Sequence, residues 1–96
     1  MKTIEMPTTT DEALVETLRA VANPVRYRIL QILRERGECQ CGPLGDYLPI
    51  APSTLSQHLK VLREAGLIQG TIDGPSICYC RDEDRIAWLK RHFAEL

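Results

Sequence analysis

Apolar residues return along this chain at two spacings, and the spacing changes with position. Leu14, Val15, Leu18 and Val21 recur with a helical period, behind Thr10 as N-cap and Asp11-Glu12 at the positive end of the helix dipole. Asn23-Pro24 ends that helix and opens a second, with Asn23 as N-cap and Pro24 at the first helical position. The second helix turns Ile29, Leu30, Ile32 and Leu33 inward and stops at Gly37. Residues 38–41 read as an extended entry, and Gly42-Pro43 opens a short helix carrying Leu44, Tyr47 and Leu48. After a tight turn at Pro49-Ile50-Ala51, Pro52 starts a helix running to Ala65, with Gly66 as its C-cap. Leu55, Leu59 and Leu62 share one face of that helix; Ser53, Ser56, Gln57, Lys60 and Arg63 share the other.

The apolar period then shortens to that of a strand. Leu67–Ile72 and Ser76–Arg81 are β-prone and are separated by Asp73-Gly74-Pro75, a hairpin connection. Asp82 caps a last helix whose apolar positions are Ile86, Leu89 and Phe93. The predicted order is helix, helix, helix, helix, hairpin, helix. That is a mainly α domain with a small β hairpin: a helix-turn-helix followed by a β wing. It takes residues 11–96, behind a flexible N-terminal arm at 1–10.

A length of 96 residues is room for one domain, and a core that small gains stability by dimerising. The helices at 11–22 and 83–95 carry apolar stripes that a single core does not cover, and pairing them across a two-fold axis buries them. Trp88 and Phe93 read as core or interface residues. With 12 Lys+Arg against 13 Asp+Glu the net charge is -1, which excludes a polycation held to nucleic acid by charge alone, and an acidic tail protein. The charge is unevenly placed, however: Arg19, Arg26, Arg28, Arg34 and Arg36 cluster in the first two helices, and Asp82, Glu83 and Asp84 lie at the far end. No apolar run reaches the roughly 18 residues of a membrane span, and the N-terminus lacks the apolar stretch of a signal peptide. The expectation is a cytoplasmic chain with no membrane partner, whose four cysteines are reduced thiols.

Two short helices joined by a tight turn suit the major groove, about 12 Å wide, when the second has a polar outer face. Ser53, Thr54, Ser56 and Gln57 are small donors and acceptors for base edges, and Lys60 and Arg63 stand ready for phosphates. Taken alone, this face reads more simply as the solvated side of an amphipathic helix. The short helix before it and the hairpin after it turn the reading to double-stranded DNA.

Residues 19–81 resemble the ArsR/SmtB family of bacterial metalloregulatory repressors. The likeness is carried by LRAVANPVRYRILQIL at 18–33 and STLSQHLKVLREAGLI at 53–68, with GECQC at 37–41 between them. It implies a homodimeric winged helix-turn-helix that binds an operator and releases it when an inducer binds. The paired recognition helices would then stand roughly 34 Å apart, on a palindromic site. The wing tip, Asp73-Gly74-Pro75-Ser76, lacks the basic residue common in the family. Ala51 stands where the family often has a capping Ser, and Pro52 partly compensates by preorganising the first turn.

The cysteines form two C-x-C pairs, Cys39 with Cys41 and Cys78 with Cys80; neither is a C-x-x-C. Cysteine packs as a small hydrophobe, and Cys39 and Cys41 fall where family members without a metal site commonly have Leu and Val. Glu38-Cys39-Gln40-Cys41 nonetheless resembles the E-x-C-x-C of the arsenic-sensing branch, whose third Cys is Leu44 here. In the second pair, alternation puts Ile77 and Tyr79 on one face, as the expected core residues, and Cys78 and Cys80 on the other. In winged helices the entry to the helix-turn-helix lies beside the last wing strand, which brings both pairs together. Cys39, Cys41, Cys78 and Cys80 are therefore candidate ligands of a soft site for As(III), Sb(III), Cd(II), Zn(II) or Cu(I). On binding, the thiols lose protons, the base of the helix-turn-helix is tied to the wing, and the recognition helices tilt off the operator. As(III) or Sb(III) is the expected inducer, since three thiolates suffice; Zn(II) or Cd(II) is the alternative, and DNA binding itself needs no cofactor.

His92 and Glu95 have the H-x-x-E spacing of the zinc-sensing branch, but Tyr79 and Arg81 stand at the matching upstream positions. His92 thus reads as a solvated interface histidine, and His58 as a structural or phosphate-contacting one. The rival within the fold is a thiol-redox-sensing repressor. Residues i and i+2 on a strand are about 6.6 Å apart, so a disulfide joins one pair to the other more easily than it forms within a pair. A small metal carrier would leave the polar helix face and the dimer stripes without purpose. No nucleophile–base pair, phosphate loop or catalytic carboxylate pair is present, so the chain does not read as an enzyme.

Overall fold

Asn23 makes the joint between the first two helices, α1 (Thr9–Val21) and α2 (Pro24–Arg36). Its Oδ1 accepts from the backbone N–H of Val25 at 2.9 Å and of Arg26 at 3.1 Å, so it caps α2 as its sequence position predicts. The computed structural model describes residues 9–36, 39, 44–73 and 76–96. A 3₁₀ turn at Leu44–Tyr47 follows, then α3 (Pro52–Glu64), β1 (Ile68–Asp73), β2 (Ser76–Arg81) and α4 (Glu83–Ala94). The element order is the predicted one. The short third helix is a single 3₁₀ turn, and α1 begins at Thr9 rather than after a Thr10 cap. The arm at 1–8, Gly37, Gly42-Pro43 and Gly74-Pro75 lie outside the described residues.

The core is built around α2, which packs against α1, α3 and β2. It buries Ile29, Leu30, Ile32 and Leu33 against Leu59 and Leu62 of α3, with Leu44, Leu48, Leu67, Ile68 and Ile86. In α1 the core of this chain covers the apolar stripe only in part, as its sequence suggests, and the fully buried positions lie beside it. Thr17 and Ala20 are buried, Leu14 and Leu18 are half-buried, and Val15 is 44% exposed. The Thr17 hydroxyl donates to the Ala13 carbonyl at 2.6 Å, which satisfies it inside the core. The fully buried residues of α1 are thus small ones, Val21 packs against the core at partial burial, and Val15 is turned outward. The last helix repeats the pattern: Ile86 is buried, Leu89 half-buried and Phe93 56% exposed.

The end of α3 explains why the first strand starts one residue later than predicted. Gly66 has φ +80, the N–H of Leu67 bonds the Leu62 carbonyl, and that of Gly66 bonds the Arg63 carbonyl. This pair of bonds closes the helix, and the left-handed Gly66 turns the chain into β1. The hairpin is a two-stranded antiparallel sheet with Thr71 opposite Cys78 and Gln69 opposite Cys80. Asp82 then caps α4, accepting from the N–H of Arg85 at 2.9 Å and from the Gln69 amide at 2.8 Å. These two donors hold its carboxyl below the ordinary value of 3.8. Among the described residues no helix is long and apolar enough to cross a membrane.

Candidate functional site

The outward face of α3 is mostly polar, with Val61, 37% exposed, as its apolar exception. Ser53, Thr54, Ser56, Gln57, Lys60 and Arg63 are all exposed, opposite buried Leu59 and Leu62 and half-buried Leu55. Ala51 is extended (φ -64, ψ 145) and offers no side-chain cap, while Pro52 fills the first helical position without needing a partner for an N–H. Lys60 pairs with Glu64 at 3.9 Å in the open, a pair too exposed and long to hold the lysine in place.

Arg26 positions this helix. Its Nε donates to the Ala20 carbonyl at 2.7 Å and its Nη2 to the Arg19 carbonyl at 3.2 Å, covering the C-terminal end of α1. Its Nη1 meets Nδ1 of His58 at 3.2 Å, and half-buried His58 lies on α3. A guanidinium can only donate, so in this contact Nδ1 of His58 is the acceptor. The arginines of the first two helices therefore do different things: Arg26 braces three helices, Arg28 pairs with Glu35 at 3.3 Å, and Arg36 lies 4.4 Å over the Tyr47 ring. The short spacing from Asn23-Pro24 to Arg26 is the sequence feature that places the guanidinium beneath the end of α1.

The second region is a junction of sulfur atoms. Cys39, beyond the end of α2, and Cys80, near the end of β2, are joined by a disulfide across 41 residues of sequence, with Cα atoms 4.3 Å apart. Cys78 is disulfide-bonded as well, and among the described residues no cysteine is free. Cys41 lies outside the described residues. The expected reduced state is thus not the state seen here: β2 packs on α2, so the chain leaving α2 passes close enough to β2 for the sulfurs to bond.

The strand faces also need correction. Cys78 is only 6% exposed, whereas Ile77 is 48% exposed. Alternation holds, but the side carrying Cys78 is the one turned to the protein, because α2 covers that side of the hairpin. Ile77 and Tyr79 sit over Gly70, where an added Cβ would meet them at 3.6 and 3.4 Å, although Tyr79 still touches the core. Cys39 is exposed, so it does not pack as a small hydrophobe there.

Arg81 anchors the same end of the wing, donating to the Leu30 carbonyl of α2 at 3.5 Å and from Nε to Glu83 at 2.9 Å. Once reduced, the cysteines offer only soft sulfur donors, which fit As(III), Sb(III) or Cd(II) and not hard cations. Among the described residues no group of three or more His, Cys, Asp or Glu is placed to hold an ion. His92 is occupied within α4: its Nδ1 meets the Trp88 carbonyl at 2.9 Å, and the two rings lie 4.5 Å apart.

Residues 21–71 match a family model described as a helix-turn-helix domain. The HTH-type transcriptional repressor SmtB of Mycobacterium tuberculosis is 41% identical over 81% of this chain and 57% of its own length. The HTH-type transcriptional regulator CmtR of the same organism is 37% identical over 80% of this chain, which spans 64% of that relative. The NMR structure of the cadmium metal-sensor CMTR from M. tuberculosis superposes with a TM-score of 0.60 at 36% identity, over 86% of this chain and 81% of that one. A crystal structure described as a possible transcriptional regulator for arsenical resistance superposes with a TM-score of 0.74 at 34% identity, over 83% and 82%.

Proposed function

Since the chain belongs to the ArsR/SmtB family of winged helix-turn-helix regulators, we propose that it is a cytoplasmic homodimeric repressor released from a palindromic operator by a thiophilic ion. It is a binding protein and not an enzyme. Ser53, Thr54, Ser56 and Gln57 read base edges of double-stranded DNA, and Lys60 and Arg63 hold phosphates. The outward apolar residues of α1 and α4, Val15 and Phe93 among them, form the dimer contact.

The observation that carries the sensing part is the 4.3 Å separation of Cys39 and Cys80. These two residues join the exit of α2 to the wing, and α3 packs on both α2 and β1. Whatever changes the bonding of the sulfurs changes how the hairpin sits on α2, and with it the tilt of α3. In the reduced chain Cys39, Cys41, Cys78 and Cys80 supply thiolates for As(III) or Sb(III), with Cd(II) or Zn(II) as the alternative. The names of similar proteins, a cadmium metal-sensor and a possible regulator for arsenical resistance, support both. A 100-fold loss of operator affinity needs about 2.7 kcal/mol of coupling, within reach of metal–thiolate bonds.

A second reading rests on the disulfide itself: the Cys39–Cys80 bond is a state that an oxidant reaches and a reductant reverses. One titration separates the two. Reduced protein on its upstream DNA is challenged with As(III), Sb(III), Cd(II) and Zn(II), and in parallel with diamide. Release by As(III) or Sb(III) at stoichiometric amounts is the expected result. Release by diamide alone installs the redox reading instead, and release by neither overturns sensing at these cysteines.

A further inference from the structure

We propose that the cleft beside the Cys39–Cys80 disulfide is a docking site for a small anionic thiol, which opens that bond by thiol–disulfide exchange. The proposal rests on the redox reading and adds the chemical class of the reductant.

The cleft measures about 350 Å³, at the small end of the range for small-molecule sites. Buried Leu33 contributes to its wall, and the two cysteines are part of its lining. Three cations surround them, each from a different element: Arg34 of α2, Arg81 of β2 and Lys90 of α4. The one lining carboxylate, Glu83, is engaged by Arg81 at 2.9 Å. Arg34 and Lys90 are exposed and make no ion pair among the described residues. The cleft is therefore net positive around a disulfide, in a chain whose overall charge is -1. Such a field raises the local concentration of anions and their rate of arrival.

The two sulfurs are unequal. Cys39 is exposed and Cys80 half-buried, so an incoming thiolate reaches the Cys39 sulfur first. A bond forms from the ligand sulfur to Cys39 as the Cys39–Cys80 bond breaks. The electron pair leaves on Cys80 as a thiolate beside the cations of the cleft, which then takes a proton from water. A second ligand thiolate attacks the ligand sulfur of the mixed disulfide and releases Cys39. In sum, two ligand thiols are oxidised to their disulfide, the protein disulfide is reduced, and two protons end on Cys39 and Cys80. A carboxylate on the ligand is what Arg34 and Lys90 recognise.

The test uses the full chain carrying Cys41→Ala and Cys78→Ala, oxidised so that one disulfide remains. Its opening is timed by thiol release with 3-mercaptopropionate, 2-mercaptoethanol and cysteamine, each rate divided by the thiolate concentration present. The expected order is anionic, neutral, cationic, with at least tenfold between the ends at low salt and less at high salt. Arg34→Gln with Lys90→Gln should collapse the spread to within about twofold, whereas Arg28→Gln with Arg91→Gln, an equal charge change elsewhere, should preserve it. Equal rates for the three thiols, or a spread that survives Arg34→Gln/Lys90→Gln, overturns the proposal. If the alanine pair does not fold, total thiol release from the wild-type chain is read the same way. A single-cysteine-pair chain that forms no disulfide with diamide sinks the redox reading and this proposal together. A charge preference without any change in operator affinity on opening sinks the redox reading alone and leaves the docking site standing.

Discussion

The outward face of α3 draws six polar side chains from one continuous run, residues 53–63, whereas the sulfur junction draws Cys39 and Cys80 from positions 41 residues apart. The first is made by helical periodicity, with Leu59 and Leu62 fixing which side points in. The second exists only because β2 comes back onto α2. A locally made surface loses function in graded steps, one contact at a time. A bond made by topology, such as Cys39–Cys80, is lost when either partner is changed. The two regions meet through the core that α2 and α3 share, and the following substitutions pull them apart.

The largest effect should come from the shared core. Leu62→Ala removes a fully buried side chain that holds α3, at a cost of about 2–5 kcal/mol, and both operator binding and thiol chemistry should weaken together. Urea unfolding checks this as a lower midpoint at unchanged slope. Gln57→Ala should split the regions instead. Operator affinity should fall by about 1–3 kcal/mol while the melting temperature and the response of the thiols stay the same, read by fluorescence anisotropy beside thiol titration. Lys60→Ala and Arg63→Ala should each weaken binding to all DNA sequences alike and lower the salt slope by about one.

The smallest effect concerns the hinge between wing and α4. Asp82→Ala removes the cap of α4 and the bond from Gln69, at a cost of about 1 kcal/mol. Because the Asp82 carboxyl is held below its ordinary value, its contribution is present above the unfolded value near pH 4 and is lost as pH falls through the folded one. The stability gap between Asp82→Ala and wild type should therefore be full at neutral pH and close in acid, as thermal melts at a series of pH values would show.

Legibility in the sequence follows the same division. Asn23, Gly66 and Asp82 are readable because caps and left-handed turns are set by neighbours within a few residues. The inward side of α2 is readable because four large apolar residues mark it. The inward side of α1 is not, since close packing against α3 and α4 selects the small Thr17 and Ala20 and leaves Val15 outside. In β2 the alternation is legible but not its sign: a hairpin of two strands does not say which face the rest of the molecule will cover, and Cys78 took the buried side from Ile77. The nearness of Cys39 to Cys80 follows from winged-helix topology and not from spacing. Arg26 appears in the sequence as one of five clustered arginines, and only the fold shows it bracing α1, α2 and His58.

The central claim is that the bonding of Cys39 and Cys80 controls α3 on the operator. The most direct test measures operator affinity of the reduced protein with and without stoichiometric arsenite, for wild type and for the Cys39→Ser/Cys80→Ser double variant, which keeps only two of the four thiols. Wild type should lose about 100-fold in affinity, or about 2.7 kcal/mol, while the double variant binds the operator as wild type does and loses at most a few-fold on adding arsenite. A double variant released at the same arsenite concentration as wild type would contradict the account.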